Sequence, residues 1–294
     1  MFLIRFGWNL VGKLAIVALL TAPAVSSATT VRMQTSKGNI DIQLFDSGAP
    51  LTVANFLNYV NSGAYASSFF HRSVKNFIIQ GGGFNFDGAS VHAVPANAPV
   101  KNEFSVTRSN VRGTIAMAKV GGNPDSATNQ WFFNLANNAA NLDNQNGGFT
   151  VFGQVTAEGM KVVDAIAALQ TANASGAVNA GGPAIAGNLS TLPVNSPLVN
   201  NTIQQANLVS VGVAFVLDPR AECLFNWAES QYAYLFSPAG FATTVWTEFN
   251  YRYYPATNAY LGVSSKDGSV YYMGADGVMH NEGSLSYWLL QSGC

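Results

Sequence analysis

The sequence predicts a mainly β protein: a closed or nearly closed barrel capped by two helices, followed by a small, aromatic-rich β module. Three observations carry this reading. From Thr29 to Val216, short segments alternate apolar and polar residues, as strands with one buried face do. Only two segments, beginning near Leu51 and Glu158, repeat apolar residues at helical spacing. After Asp218-Pro219 the composition turns abruptly to Tyr and Trp. Many strands with one early and one late helix bury their apolar faces best by curling on themselves, the helices closing the ends.

The elements follow in order. Thr29 to Phe45 reads as a hairpin turning at Lys37-Gly38. Pro50 opens a helix with Leu51, Ala54 and Leu57 at helical spacing; Thr52 is the expected N-cap and Gly63 the stop. Arg112–Lys119, Asn129–Leu135 and Phe149–Val155 read as strands separated by polar loops. Glu158–Gln170 is the second helix, with Met160, Val163, Ile166 and Leu169 on one face. Thr171–Gln205 shifts to Ala, Gly, Asn, Ser and Pro, which reads as a long surface loop, either an ordered excursion or a flexible arm. Ala206–Val216 closes the barrel. In the last segment, an Asp267-Gly268 hairpin sits among Trp227, Tyr232, Tyr234, Trp246 and Tyr287. Such aromatics form either an exposed binding surface or the packed core of a small β fold, and we favour the core. The expected division is therefore a leader over 1–28, the barrel over 29–218 and the module over 219–294.

The 294 residues are 48% hydrophobic and 10% charged, with a net charge of −1, so a sizeable core forms without any basic run. Nucleic acid is thereby disfavoured as a partner, as is adhesion to anionic lipid. Arg5 and Lys13 precede an apolar run from Leu14 to Val25 and the small residues Ser26-Ser27-Ala28, which predicts a secretory signal cleaved after Ala28. The alternative is an uncleaved anchor, although the run is shorter than the roughly 20 residues a bilayer needs. No later segment is expected to insert in a membrane. Cys223 and Cys294 are the only cysteines. In an exported protein their even count predicts a disulfide, with two free buried thiols as the alternative. His71, His92 and His280 show no metal-ligand spacing, and no cofactor is expected.

One stretch, Phe70 to Phe84, combines residue types that a plain core strand lacks. Arg72 and Gln80 supply hydrogen bonds beside Phe77, Ile78 and Ile79, and Gly81-Gly82-Gly83 closes the run. Strong donors beside large apolar groups describe a pocket wall. The glycines lack the Lys-Ser/Thr and following helix of a phosphate loop and are read as a backbone-packing feature.

The barrel region resembles the cyclophilin family of peptidyl-prolyl isomerases, its bacterial exported branch in particular. The resemblance runs in family order through "Thr-Ser-Lys-Gly-Asn-Ile", "Ala-Pro-Leu-Thr-Val-Ala-Asn-Phe", "Phe-Ile-Ile-Gln-Gly-Gly-Gly-Phe", "Arg-Gly-Thr-Ile-Ala-Met-Ala", "Ser-Ala-Thr-Asn-Gln-Trp-Phe-Phe", "Val-Phe-Gly-Gln-Val" and "Glu-Gly-Met-Lys-Val-Val". It implies an eight-stranded antiparallel barrel capped by two helices. It further implies that Arg72 is catalytic and that Gln80 binds substrate backbone and steadies it. Phe77, Ile78, Phe132 and Leu142 would form the floor for the substrate proline, and Ala118 and Gln130 the neighbouring groove. Phe149 stands where a histidine or tyrosine usually lines the pocket. His71 is expected to be a hydrogen-bonded structural residue, since the reaction moves no proton.

Several positions depart from the family pattern. Lys75-Asn76 replaces proline and glycine, Trp131 replaces phenylalanine, and Lys119 replaces a frequent asparagine. Asn141 stands where many eukaryotic members carry the tryptophan that binds cyclosporin, so weak cyclosporin binding is expected. The expected function is isomerisation of X–Pro bonds in exported proteins, in the periplasm or outside the cell, with proline-containing polypeptides as partners. The alternatives are a weakly active proline-peptide binder, or an envelope interaction protein working through its C-terminal module.

Overall fold

The computed structural model describes residues 28–237, 249–264 and 266–294. The expected leader therefore lies outside the described residues up to Ala28, and Trp246 lies outside them too. The first hairpin forms as its alternation requires, β1 (Thr30–Thr35) against β2 (Gly38–Leu44). Val31, Met33, Ile40 and Ile42 point inward and are wholly buried.

Helix α1 (Pro50–Asn61) follows. Thr52 is not its N-cap: that position is Ala49, whose side chain offers no acceptor. Instead the distant Glu103 accepts hydrogen bonds from the Leu51 and Thr52 amides at 3.1 and 2.8 Å, and from the Thr52 hydroxyl at 2.7 Å. A carboxylate there satisfies orphan N–H groups and complements the helix dipole. Gly63, with φ of 71°, does end the helix.

Five short strands come next: β3 (Ser68–Phe69), β4 (Arg72–Val74), β5 (Ile78–Gly81), β6 (Phe84–Phe86) and β7 (Val91–Ala93). Then follow β8 (Thr114–Met117), β9 (Trp131–Asn134), the single turn α2 (Ala139–Leu142), β10 (Val151–Val155) and α3 (Ala157–Ala167). Thr156 caps α3 by accepting from the Gly159 amide. Short β11 (Thr171–Ala172), α4 (Pro183–Ala186) and β12 (Leu192–Pro193) precede the long β13 (Ser210–Leu217).

The main sheet runs β4-β5-β9-β8-β10-β2-β1-β13-β3-β6-β7, antiparallel at every pairing. Its curl is legible in one detail. β3 and β4 are two parts of a single run, Ser68 to Val74: β3 pairs with β13, while β4 pairs with β5. The sheet therefore returns to the strand it started from, as an antiparallel barrel does. Phe56, Trp131, Phe133 and Phe152 fill its interior.

Residues 171–205 form an ordered excursion. They carry α4 and the β11–β12 ladder, and Leu189, Leu192 and Ile203 bury themselves against Phe69, Phe84 and Phe86. The Ser73 amide, on the strand bearing Arg72, donates to the Thr191 carbonyl at 2.9 Å.

Past Asp218, the β-rich region also holds helices that the aromatic composition concealed, α5 (Pro219–Gln231) and α6 (Leu285–Ser292). Between them lies the meander β14 (Phe249–Tyr254), β15 (Ala259–Ser264), β16 (Ser269–Met273) and β17 (Met279–Ser284). Leu224 and Phe225 of α5 pack on Tyr254, Leu261 and Val263 of the sheet. The aromatics divide between the two expected roles: Phe225 and Tyr254 are core, whereas Tyr234 and Tyr287 are exposed. Arg252 is buried between Glu222 and Glu229 at 2.7 and 2.6 Å. Glu222 also reaches Arg32 of the barrel at 3.7 Å, and Arg32 is itself paired with Asp41.

Cys223 and Cys294 are disulfide-bonded, joining α5 to the residue that follows α6 across 71 positions. Reduction is expected to destabilise this region by about 4 kcal/mol through lost loop closure while the barrel's own transition persists. Calorimetry with and without reductant, alongside thiol counting, checks it; a barrel that melts together with the reduced region would contradict it.

Candidate active site

The pleat of the sheet separates site from core. One row of cross-strand partners runs Arg72, Gln80, Phe132, Ala116, Val151 across β4, β5, β9, β8 and β10. The next row, Ser73, Ile79, Phe133, Ile115, belongs to the other face. Because side chains alternate along a strand, Ile79, Phe133 and Ile115 enter the barrel core, while Ile78, Phe132, Ala116 and Val151 form a separate apolar cluster with Leu142. Phe77, Ala118 and Phe149 pack on that cluster.

A groove of about 360 Å³ opens over the cluster, lined by Arg72, Phe77, Ile78, Gln80, Ala118, Lys119, Phe132, Asn141, Leu142, Gln145 and Phe149. Gln130 adjoins it through Gln80. The pocket residues expected from the sequence are thus brought to one place. Gln145 was not foreseen, and nothing in its loop sequence marks it.

The polar edge is a short chain of side-chain hydrogen bonds. The Arg72 guanidinium donates from Nη1 to Gln80 Oε1 at 3.3 Å, and Gln80 Nε2 donates to Gln130 Oε1 at 2.8 Å. Arg72 is half-buried, and burial lowers its pKa from the ordinary value. Among the described residues no carboxylate pairs with it. Guanidinium N–H groups therefore remain for another acceptor.

The glycine run makes room for this chain. A Cβ on Gly81 would stand 2.7 Å from the Trp131 ring, one on Gly82 would stand 2.6 Å from the Asn129 carbonyl, and one on Gly83 would stand 2.7 Å from Gln130. Gly82 also holds φ at 80°, a conformation that side chains resist. The larger Trp131 faces the barrel interior, edge-on to Phe70 and Tyr65, so this departure leaves the groove untouched. Lys75-Asn76 forms the β4–β5 turn. Asn76 adopts φ of 56°, which asparagine tolerates better than most residues.

His71 corrects an expectation. It is wholly buried, its ring edge-on to Phe84 with centroids 4.8 Å apart, and among the described residues neither ring nitrogen has a hydrogen-bond partner of good geometry. Burial, with the Arg72 charge beside it, pushes its pKa down to about 3, and nearby Gln130 offsets this only in part. The ring is therefore an uncharged packing group behind the groove wall that bears Arg72.

The fold is thus an antiparallel barrel with a half-buried guanidinium, without a carboxylate partner among the described residues, beside an apolar groove. The sequence profile described as "Cyclophilin type peptidyl-prolyl cis-trans isomerase/CLD" matches residues 30–181. The chain belongs to that family. It is 45% identical over 154 residues to a peptidyl-prolyl cis-trans isomerase of Acinetobacter baylyi, spanning 52% of this chain and 79% of that protein. It is 44% identical over 162 residues to peptidyl-prolyl cis-trans isomerase A of Dickeya dadantii, spanning 54% of this chain and 82% of that protein. Among solved structures, a cyclophilin-type isomerase of Cryptosporidium parvum overlays with a TM-score of 0.44 at 20% identity, over 65% of this chain and 98% of that one.

The lowered pKa of His71 has a consequence for acid stability. Above about pH 6.5 the ring is neutral whether the chain is folded or unfolded. Below that, only the unfolded chain takes up the proton, until the folded ring follows at about 3. Stability should therefore fall as pH drops through this window. His71→Leu is expected to lose less stability than wild type between neutral pH and about pH 4.5. Denaturant unfolding at both pH values checks this, and equal acid sensitivity would count against it.

Proposed function

We propose that this chain isomerises X–Pro bonds in exported proteins within the bacterial cell envelope, with Arg72 as the catalytic group. The observation that carries the reading is the half-buried Arg72 at the edge of an apolar groove, oriented by Gln80 and without a carboxylate partner among the described residues.

An X–Pro bond turns slowly because amide resonance imposes a barrier of about 18–20 kcal/mol. No bond breaks, so neither a nucleophile nor an acid–base pair is needed. In the twisted amide the prolyl nitrogen becomes pyramidal and regains a lone pair. The Arg72 guanidinium, permanently charged and rigid, donates to that lone pair only in the twisted state, which is selective stabilisation of the transition state. Phe77, Ile78, Phe132, Leu142 and Phe149 hold the proline ring. Gln80 and Gln130, with the Ala118 edge, bind the backbone preceding it while its carbonyl swings round.

Residues 29–218 form the isomerase unit in this reading, and 219–294 serve localisation or client capture through exposed groups such as Tyr234, Tyr287 and Leu290. Proline-containing polypeptides are the partners, with none among nucleic acids. Asn141, beside Leu142 at the groove, offers no indole, so cyclosporin should inhibit only weakly.

Arg72→Ala is expected to lower kcat/KM about 10²–10³-fold on an Ala-Pro tetrapeptide, the usual loss for one transition-state donor. A protease-coupled assay measures it; equally slow turnover by wild type and variant would sink the enzyme reading and favour the binding one. Export is tested separately by sequencing the N-terminus of protein recovered from the envelope. A chain beginning at Thr29 is expected, and an intact leader on cytoplasmic protein would refute export.

A further inference from the structure

Two departures from the family pattern, Lys119 and Phe149, touch each other. The Lys119 ammonium lies over the Phe149 ring, 4.8 Å from its centroid. The same ammonium donates to the Asn146 and Gly148 carbonyls, each at 2.7 Å. Those carbonyls belong to an unusual turn: Asn146, Gly147 and Gly148 all hold positive φ, at 53°, 73° and 74°. Three left-handed residues in succession, one with a side chain, do not persist without support from their surroundings.

The support comes from both ends. At the base, the Asp143 carboxylate accepts from the Ser109 hydroxyl and from the Asn110 amide and side chain, while Asn110 Nδ2 also donates to the Phe149 carbonyl at 2.9 Å. At the tip, Asn102 Nδ2 donates to the Gly147 carbonyl at 2.7 Å, and a Cβ on Gly148 would overlap the Phe104 ring. Lys119 is the one cation among these contacts, and it also lines the groove. The loop it ties down follows Leu142 and ends in Phe149, both of which meet Phe132 in the apolar cluster. The Phe149 and Phe132 rings stand edge to face at 5.8 Å.

We propose that Lys119 is a positioning residue: it clamps the 143–149 loop and holds Phe149 in place as the far wall of the proline groove. A histidine or tyrosine at position 149 would have a polar atom of its own to fix the ring. Phenylalanine has none, and the cation over its face takes that part. Cation and ring then act as one unit. Partial burial lowers the Lys119 pKa from its usual value, in keeping with an ammonium turned toward protein carbonyls instead of water.

Because the loop would contact the proline in ground and transition states alike, its loss affects binding more than turnover. This rests on the isomerase reading, so the test includes measurements that do not depend on turnover. In the full chain, Lys119→Met is expected to speed amide hydrogen exchange at residues 145–149 at least tenfold while the barrel strands keep wild-type protection. It should also weaken binding of an Ala-Pro peptide at least fivefold and raise KM with kcat within twofold of wild type. Lys119→Arg should restore most of both. In a Phe149→Leu background the Met substitution should weaken peptide binding less than it does in the wild-type chain. Should the Met variant not fold, Lys119→Gln replaces it in the same measurements. Unchanged loop exchange, unchanged peptide affinity, or a loss of protection spread over the whole barrel would each overturn the clamp. Inactivity of the wild-type chain would instead count against the isomerase reading.

Discussion

The register of β4, β5, β9 and β8 is the constraint on which the site depends. Arg72 opposite Gln80, Gln80 opposite Phe132 and Phe132 opposite Ala116 put charge, amide and apolar floor in a single row on one face. A slip of one residue would send Phe132 into the barrel and turn Phe133 outward, because successive side chains point to opposite faces. The rows of large inward residues, Ile79, Phe133 and Trp131, make such a slip costly, since each would leave a filled interior. Core packing and site geometry are thus two faces of the same pairing.

Around that row, the groove is assembled from parts distant in sequence. The triglycine run admits Gln130 to the side of Gln80. The excursion over 171–205 seals the strand that bears Arg72 through the Thr191 carbonyl and a small apolar cluster of its own. The loop holding Leu142 and Phe149 is fixed at its base by Asp143 and at its tip by Lys119. Each of these devices removes freedom from a groove side chain, as the proposed catalysis by positioning and a fixed charge would require. The C-terminal region is held by a different kind of contact. Its buried Arg252 stands between two carboxylates, one of which reaches Arg32 of the barrel. Removing either partner would leave buried charge uncompensated, so the cluster acts as a unit.

Local patterns carried most of the barrel strands, both capping helices and the pocket-wall character of the stretch holding Arg72, Phe77 and Gln80, because alternation is a property of neighbouring residues; Phe132 and Leu142 came from the family resemblance. The same locality explains the misses. Thr52 reads as an N-cap, but the group that satisfies the first turn of α1 is Glu103, some fifty positions on. Helices α5 and α6 were hidden because their few buried apolar residues, Ala221, Leu224, Phe225 and Ala228 in α5 and Leu285 in α6, form only a weak helical stripe; packing on the meander sheet stabilises them. His71 reads as a hydrogen-bonded residue, yet burial against Phe84 leaves it a neutral packing ring.

What the sequence determined by itself was the barrel, its family and most of the side chains that line the groove. Tertiary structure alone decided that Lys119 and Phe149 are one contact, that residues 171–205 are ordered, and that Trp131 faces away from the groove. The reason is physical: strand alternation is written in adjacent residues, whereas a clamp, a cap or a shared core exists only between segments that the fold brings together.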